Sequence, residues 1–375
     1  MRNIWIILLL FCIVFLGATT VQSEPLETLK TSHFPSLISC VKINSPLDFC
    51  GEEVPLDKEE VRERLDKELL LSLWDRPQVI LWMKRSSRHL PHIEKMLKEN
   101  NMPEDLKYVA IIESALRPHV SSSKRAIGFW QFTKATGRKY GLTINSDIDE
   151  RRNIFTSTRA AIRYFKELRD TLGSWSLSAA AYNMGEEGLK SEILAQKTNN
   201  YYYLYLPLET QRYIFRIVSA KLILSNPEKY GFYLTKEDLY PPLQFDRIKL
   251  ECSQKTPIHV IAQAGKTHFK VIKDLNPEIR GHYLSKGSHF ILIPKGTLRG
   301  FRARYKKLLN QWLANNKKQV YVVKKGDNLS SIADRFNVPL PAVLIWNGLS
   351  PKRNIYPGDQ LLIYSNEMKP RDIQK

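Results

Sequence analysis

Apolar and polar positions divide the chain into a long helical stretch and a shorter tail of β-like runs. From Leu56 to about Leu97 charged residues and scattered aromatics follow one another without a glycine, a pattern that predicts helix. Pro103 is then placed as the first residue of a helix containing LKYVAIIESAL. In that segment Leu106, Val109 and Ala110 fall at i, i+3 and i+4, and the next member of the stripe, at i+7, is Glu113. An ionised carboxylate on a buried face must be paired, neutralised or used. Helical patterning continues to about Leu224. Within it SLSAAAYNMGEEGL sets Leu177, Ala180, Ala181 and Met184 on one small-residue face, with Tyr182 and Asn183 off that stripe.

Beyond Tyr240 short β-like runs are separated by Gly, Pro and Asn, which marks a domain boundary. A shift of 71 positions lays LNPEIRGHYLSKGSHFILIP over WNGLSPKRNIYPGDQLLIYS without a gap, Asn276 on Asn347 and Ile291 on Leu362. Ile258, Ile261 and Ala262 likewise fall on Leu329, Ile332 and Ala333. The second copy predicts a strand at YVVKKGD, a helix with Leu329, Ile332, Ala333 and Phe336, a second helix with Leu340, Val343 and Leu344, and a closing strand LLIY. Two small βααβ modules are expected, joined by the basic, helix-prone segment RGFRARYKKLLNQWLANNKK, taken as a linker.

The chain has 375 residues with 43% apolar composition, enough for two or three packed domains and not the composition of a disordered protein. Its first residues combine Arg2, an apolar run from Ile4 to Gly17 and a small-residue site ending at Ser23, the pattern of a secretory signal. The run is shorter than the about 20 residues a bilayer span needs, although retention as an anchor stays open. Cys12 lies behind Phe11 in that run and does not form a lipoprotein cleavage box. Of the remaining cysteines, Cys40 and Cys50 are candidates for a disulfide in an exported chain, with free thiols the alternative, and Cys252 is left over. With 57 Lys+Arg against 38 Asp+Glu the formal charge is +19, which favours polyanions. For an exported protein an anionic wall or membrane surface fits this charge better than nucleic acid. The eight histidines form no ligand-spaced cluster with cysteines or acids, so neither metal nor cofactor is expected.

Burial would raise the pKa of Glu113 and let it hold a deliverable proton near neutral pH, which suits glycosidic cleavage. Around it, ES-x-x-x-P from Glu113 to Pro118, IGFWQF from Ile127 to Phe132, TGRKYGL and AYNMGEEG occur in one order. Together they resemble the soluble-lytic-transglycosylase domain, with the upstream R-x-L-P-x-I and downstream LP-x-ET-x-x-Y segments of the membrane-bound lytic murein transglycosylase D type. The tail from YVVKKGD to IYPGDQLLIY resembles a LysM carbohydrate-binding module, and residues 245–297 a degenerate copy lacking K-x-G-D.

The resemblance implies a multidomain chain, mainly α in a lysozyme-like catalytic domain and α+β in its LysM-type modules. The expected division is a signal peptide at 1–23, an N-terminal helical segment at 24–92, a catalytic domain at 93–235, modules at 245–297 and 319–364, and the linker at 298–318. It implies an exported, periplasmic or envelope enzyme that cuts the β-1,4 bond between N-acetylmuramic acid and N-acetylglucosamine and leaves 1,6-anhydro ends. Glu113 would be sole acid and base; Ser122, Gln131, Tyr182, Asn183, Glu209 and Tyr213 would bind or orient substrate. In the LysM module Gly326, Asp327 and Leu329 would face Asn354 and Ile355 across a glycan groove, while the first copy would be a structural spacer. Peptidoglycan strands are the expected partner. Lys124, Arg125, Leu116, Thr133 and Lys134 depart from the family pattern, which bears on subsite preference rather than on the proton donor. The competing readings are a muramidase of the same fold that uses water, and a non-catalytic wall-binding scaffold.

Overall fold

A computed structural model describes residues 35–43, 46–315, 318–351 and 353–364. The N-terminal signal pattern lies outside them. Helix α1 (Leu37–Cys40) and the strand pair β1 (Asp48–Phe49) and β2 (Glu52–Glu53) precede two long helices, α2 (Glu59–Trp74) and α3 (Arg76–Glu99). A 3₁₀ turn at Glu104–Leu106 leads into α4 (Lys107–Ser114), and Pro103 caps that turn rather than opening the helix. There follow α5 (Lys134–Lys139), α6 (Ile154–Leu172), α7 (Trp175–Met184), α8 (Glu186–Gln196) and α9 (Leu208–Ser225).

Helix α9 is the axis of this part. Its buried residues, among them Thr210, Tyr213, Ile214, Ile217 and Val218, spread around much of its circumference because α2, α4 and α7 all pack on it. One continuous core runs from Cys40 to Phe232. The segment preceding residue 93 is therefore not a separate layer, since α3 runs through that position and Val61, Leu65 and Leu69 of α2 are fully buried in the same core.

The N-terminal hairpin is pinned to that core by charge. Lys221 of α9 reaches Asp48 at 3.1 Å and Asp105 at 2.8 Å, and the Cys50 N–H donates to Asp105. Glu52 caps the N-terminus of α7, accepting from the N–H groups of Trp175 (2.6 Å) and Ser176 (3.0 Å) and from the Ser174 hydroxyl (2.9 Å). A carboxylate there satisfies otherwise orphan donors and meets the positive end of the helix dipole. Cys40 and Cys50 are free thiols, not a disulfide. The reason is local: Cys50 is held beside Asp105 and Lys221, whereas Cys40 is buried on the side of Lys229 and Arg76.

The tail holds β3 (Phe245–Cys252), β4 (Thr256–Pro257), α10 (Ile258–Ala264), α11 (Phe269–Leu275), β5 (Tyr283–Leu284) and β6 (Gly287–Pro294), then α12 (Phe301–Asn315). After it come β7 (Lys318–Val322), α13 (Leu329–Arg335), α14 (Leu340–Asn347) and β8 (Gln360–Tyr364). Antiparallel β3–β6 and β7–β8 pairs close two βααβ units with separate cores.

The stretch expected to be a helix-prone linker is largely helix, but it is packed on the first module rather than free between the two. Phe301, Tyr305 and Leu309 of α12, at i, i+4 and i+8, are buried in the first module's core with Ile248, Ile261 and Ile293. Burying each such side chain contributes roughly 1.5–3 kcal/mol, so α12 completes the module.

The repeat is also not gapless in space. The Asn276 side chain accepts from the N–H and donates to the carbonyl of Leu292, as Asn347 does with Leu362. Leu292, not Ile291, is thus the counterpart of Leu362, and the first copy carries one extra residue before its closing strand.

Candidate active site

Glu113 sits in the last turn of α4, an eight-residue helix. Two successive non-glycine residues, Ala115 (φ 50°) and Leu116 (φ 57°), adopt the left-handed conformation behind it. Such backbone is unfavourable for residues with a Cβ and persists where surroundings over-determine it. Arg117 Nε donates to the Ser114 carbonyl and Arg85 to that of Ala115, satisfying acceptors at the helix end. Buried Ser114 donates to the carbonyls of Ala110 (3.1 Å) and Phe129 (2.9 Å), tying α4 to the loop that carries IGFWQF.

That loop is folded on itself. Its bridges join Ser121 to Ile127 and Ile127 to Phe132. Ser122 Oγ accepts from the Ala126 N–H, and Gln131 Nε2 donates to the carbonyls of Val120 and Gly128. A Cβ on Gly128 would lie 1.9 Å from the Arg151 carbonyl oxygen, and its φ of +88° is itself glycine territory. Arg151 in turn holds Asp149 in a two-pronged pair at 2.8 Å and donates to the carbonyls of Arg125 and Phe132.

The expected site residues gather unequally. Tyr213 on α9 donates its hydroxyl to Glu113 Oε1 at 2.5 Å. Tyr182 on α7 stacks on Phe165 and donates to the Trp130 carbonyl at 2.6 Å, and the charge of Glu113 is felt at its hydroxyl. Asn183 is linked to α9, accepting from Thr210 Oγ1 at 2.8 Å. Ser122 and Gln131 are engaged within the loop. Glu209 stands apart: its side chain is 61% exposed and paired with Arg216 at 2.9 Å. Ser114, Thr210 and the Asp149–Arg151 pair escape sequence reasoning as positioning residues, although Ser114 and Thr210 lie inside motifs it quotes.

Desolvation pushes the Glu113 carboxyl up to about 7, helped by the charge of Glu209, while the Tyr213 hydrogen bond and Arg216 pull it down. The residue is half-buried, so dense surrounding protein rather than full enclosure removes its water. Its place at a helix C-terminus, the negative end of the dipole, works in the same direction. Tyr213 and Tyr182 are pushed well above the usual phenol range by burial and remain donors. The arrangement is a carboxylic acid able to give and retake one proton near neutral pH, with one oxygen already oriented.

In the last module Gly326 has φ +90° and Asn354 is exposed, while Leu329 and Ile355 are half-buried against the module's core. Asp327 turns inward. It accepts from the Tyr321 hydroxyl (2.6 Å) and the Lys324 N–H (2.8 Å), which hold its carboxyl below the usual range, and it pairs with Arg335. Its position is that of a turn fastener. In the first module the corresponding two loops are zipped together by the β4–β5 pair, Thr256 with Leu284 and Pro257 with Tyr283.

Residues 91–204 match the family model of the transglycosylase SLT domain and residues 321–363 that of the LysM domain. The chain thus carries a transglycosylase SLT domain and a LysM domain, and it is an enzyme, a lytic transglycosylase. The chain is 29% identical over 332 residues to the membrane-bound lytic murein transglycosylase D of Escherichia coli strain K12, an alignment covering 84% of this chain and 72% of that protein. The protein of the same name from E. coli strain CFT073 matches to the same extent. A protein of Alteromonas sp. strain M-1 named for tributyltin chloride resistance is 34% identical over 110 residues, 28% of this chain and 53% of its own length.

Proposed function

We propose that the chain is an exported enzyme of the cell envelope that cleaves peptidoglycan between N-acetylmuramic acid and N-acetylglucosamine and leaves 1,6-anhydro-muramic ends. The murein named in its relatives supports the substrate, and the carboxyl of Glu113, poised near neutrality with Tyr213 on Oε1, carries the mechanism. Protonated Glu113 gives its proton to the glycosidic oxygen as the C1–O bond breaks. The substrate's acetamido oxygen stabilises C1, as in the substrate-assisted exceptions to the two-carboxylate scheme. The Glu113 carboxylate then takes the proton of the C6 hydroxyl, whose oxygen closes onto C1, and no water is consumed. Tyr213 orients the carboxyl; Tyr182 and Asn183 shape the wall that faces the acetamido group; Gln131 and Ser122 border the sugar chain with their loop.

The LysM domain holds the enzyme to glycan at the exposed surface around Gly326, Leu329, Asn354 and Ile355, raising local substrate concentration rather than rate. The first module is a spacer as far as glycan is concerned, because the β4–β5 pair occupies the place of its glycan groove.

Digestion of purified sacculi tests the proposal. The wild type should release muropeptides lighter by one water molecule than reducing ones, and Glu113→Gln should lower release by about 10²-fold or more. Reducing ends as the main product would replace the intramolecular attack with hydrolysis. A Glu113→Gln variant at wild-type rate would remove the residue from the mechanism.

A further inference from the structure

Between the SLT domain and the first module lies a cavity of about 400 Å³ that the chemistry at Glu113 does not use. One wall comes from the N-terminal part of α6 and the turn before it, the other from β3, β6 and the loop after α11. Phe155, which lines it, packs against Phe245 and His92, the three ring centroids lying 5.2–5.8 Å apart. Backbone hydrogen bonds fix the joint: Asp149 N–H to the Glu278 carbonyl and Arg280 N–H to that of Asp147, both 2.8 Å. The cavity belongs to a fastened interface, within the size range of small-molecule sites.

Its charges are arranged but unspent. Arg159 from α6 and Arg247 from β3 both line the cavity; burial, and after it the nearby charge of Arg247, lowers the pKa of Arg159 against the pull of Glu150, and neither arginine forms an ion pair among the described residues. Arg247 instead lies over the Phe290 ring at 4.5 Å. Two guanidinium groups from different units, near the positive end of a 19-residue helix, make a place for carboxylates. The deeper wall has the opposite sign. Glu278 is 6% exposed and one of its carboxyl oxygens has no hydrogen-bond partner; burial, and to a lesser degree the charge of Glu150, push its carboxyl up to about 7 against the Asn153 hydrogen bond and the charge of Lys273. A buried oxygen left unpaired is unfavourable unless a donor arrives.

We infer that this cleft is a second binding site, for a short peptide bearing free carboxylates and an ammonium: carboxylates on Arg159 and Arg247, ammonium toward Glu278 and Glu150, aliphatic portion against Phe155 and Phe290. The inference rests on the proposed wall substrate, whose glycan carries such peptides, and it makes the first module part of a substrate site. The same chemistry is offered by a peptide still attached to glycan and by one already released.

Titration of the full chain with the synthetic tetrapeptide L-alanyl-γ-D-glutamyl-diaminopimelyl-D-alanine tests it, read by calorimetry and by amide shifts. Shifts should gather at residues 150–159 and 285–292. Arg159→Gln and Arg247→Gln should each weaken binding about tenfold, as should amidation of the peptide's carboxylates; Glu278→Gln should weaken binding of the free peptide more than that of its N-acylated form. Cleavage of peptide-stripped glycan should be unchanged in Arg159→Gln and Arg247→Gln, whereas a loss confined to peptide-bearing strands identifies attached peptide as the occupant. If wild-type chain cleaves glycan but the peptide does not bind, or binds equally to both arginine variants, the inference fails while the proposed function stands. If the peptide binds as described and no glycan is cleaved, the proposed function fails instead. Should Glu278→Gln not fold, the two exposed arginine variants and the shift map still decide.

Discussion

Glu113→Gln should stabilise the protein above neutral pH while abolishing its chemistry. The carboxyl has a pKa of about 7 in the folded chain against an ordinary value of 4.5. Because the folded state binds this proton more tightly, its contribution is fully present below about pH 4.5 and is lost as pH rises through 7. At pH 8.5 the ionised, desolvated carboxylate therefore destabilises the fold relative to a neutral side chain. At about 1.36 kcal/mol per unit the limit is roughly 3 kcal/mol, and partial access to water lowers it to about 2 kcal/mol. Glutamine keeps the shape and still accepts from Tyr213. For a unit of this size the gain corresponds to a rise in Tm of roughly 4–8 °C. Calorimetry of wild type and variant at pH 4.5 and 8.5 measures it, with near-identical Tm expected at the lower pH and a clear gain at the higher. An equal difference at both pH values, or a less stable variant at pH 8.5, would falsify the claim that Glu113 is desolvated to this extent.

Other expectations follow from the same geometry. Wild-type activity should decline as pH rises above about 7, and Tyr213→Phe should move that alkaline limb upward, since its hydroxyl favours the ionised carboxylate; superimposable pH–rate profiles would uncouple the two. Gly128→Ala should lose about 3 kcal/mol or more, because the new Cβ meets the Arg151 carbonyl at 1.9 Å and the backbone must shift; a denaturation midpoint like that of the wild type would be inconsistent with this packing. A chain ending after Asn315 should keep a folded first module and cleave soluble glycan while binding sacculi less well. One ending after Arg304 should lose the module's cooperative unfolding, because Tyr305 and Leu309 leave its core; indistinguishable thermal profiles of the two truncations would count against α12 as part of that core.

Much of this architecture is legible in the sequence because periodicity reports burial directly. The stripe ending at Glu113, the small face Leu177–Ala180–Ala181 and the two βααβ patterns correspond to observed helices and strands, except that the strand expected at YVVKKGD lies earlier, at Lys318–Val322, with KKGD in the turn after it. What stays hidden depends on contacts between distant residues. Nothing near Glu52 in sequence announces that its carboxylate caps a helix more than 120 positions later. The basic character of residues 298–318 masks the Phe301–Tyr305–Leu309 stripe, because on a helix with one buried face charges outnumber core residues. A one-residue insertion in a repeat is invisible when small and apolar residues align in either register; the paired hydrogen bonds of Asn276 and Asn347 resolve it. Asp327 carries the residue type of a ligand contact, yet only the position of Tyr321 and Arg335 reveals that its carboxylate is already engaged.

The short segment Asp147–Arg151 faces two ways. Its backbone pairs with Glu278–Arg280 of the first module, and its Arg151 side chain grips the loop bearing Gly128 and Gln131. Force applied to the tail would accordingly reach the wall of the site through this clasp, beside the Phe245 contacts with His92 and Phe155. A chain anchored to a stretched glycan lattice at one end and cutting it at the other would have its active-site loop in series with that tension, so that the mechanical state of the wall becomes a variable in the geometry of cleavage.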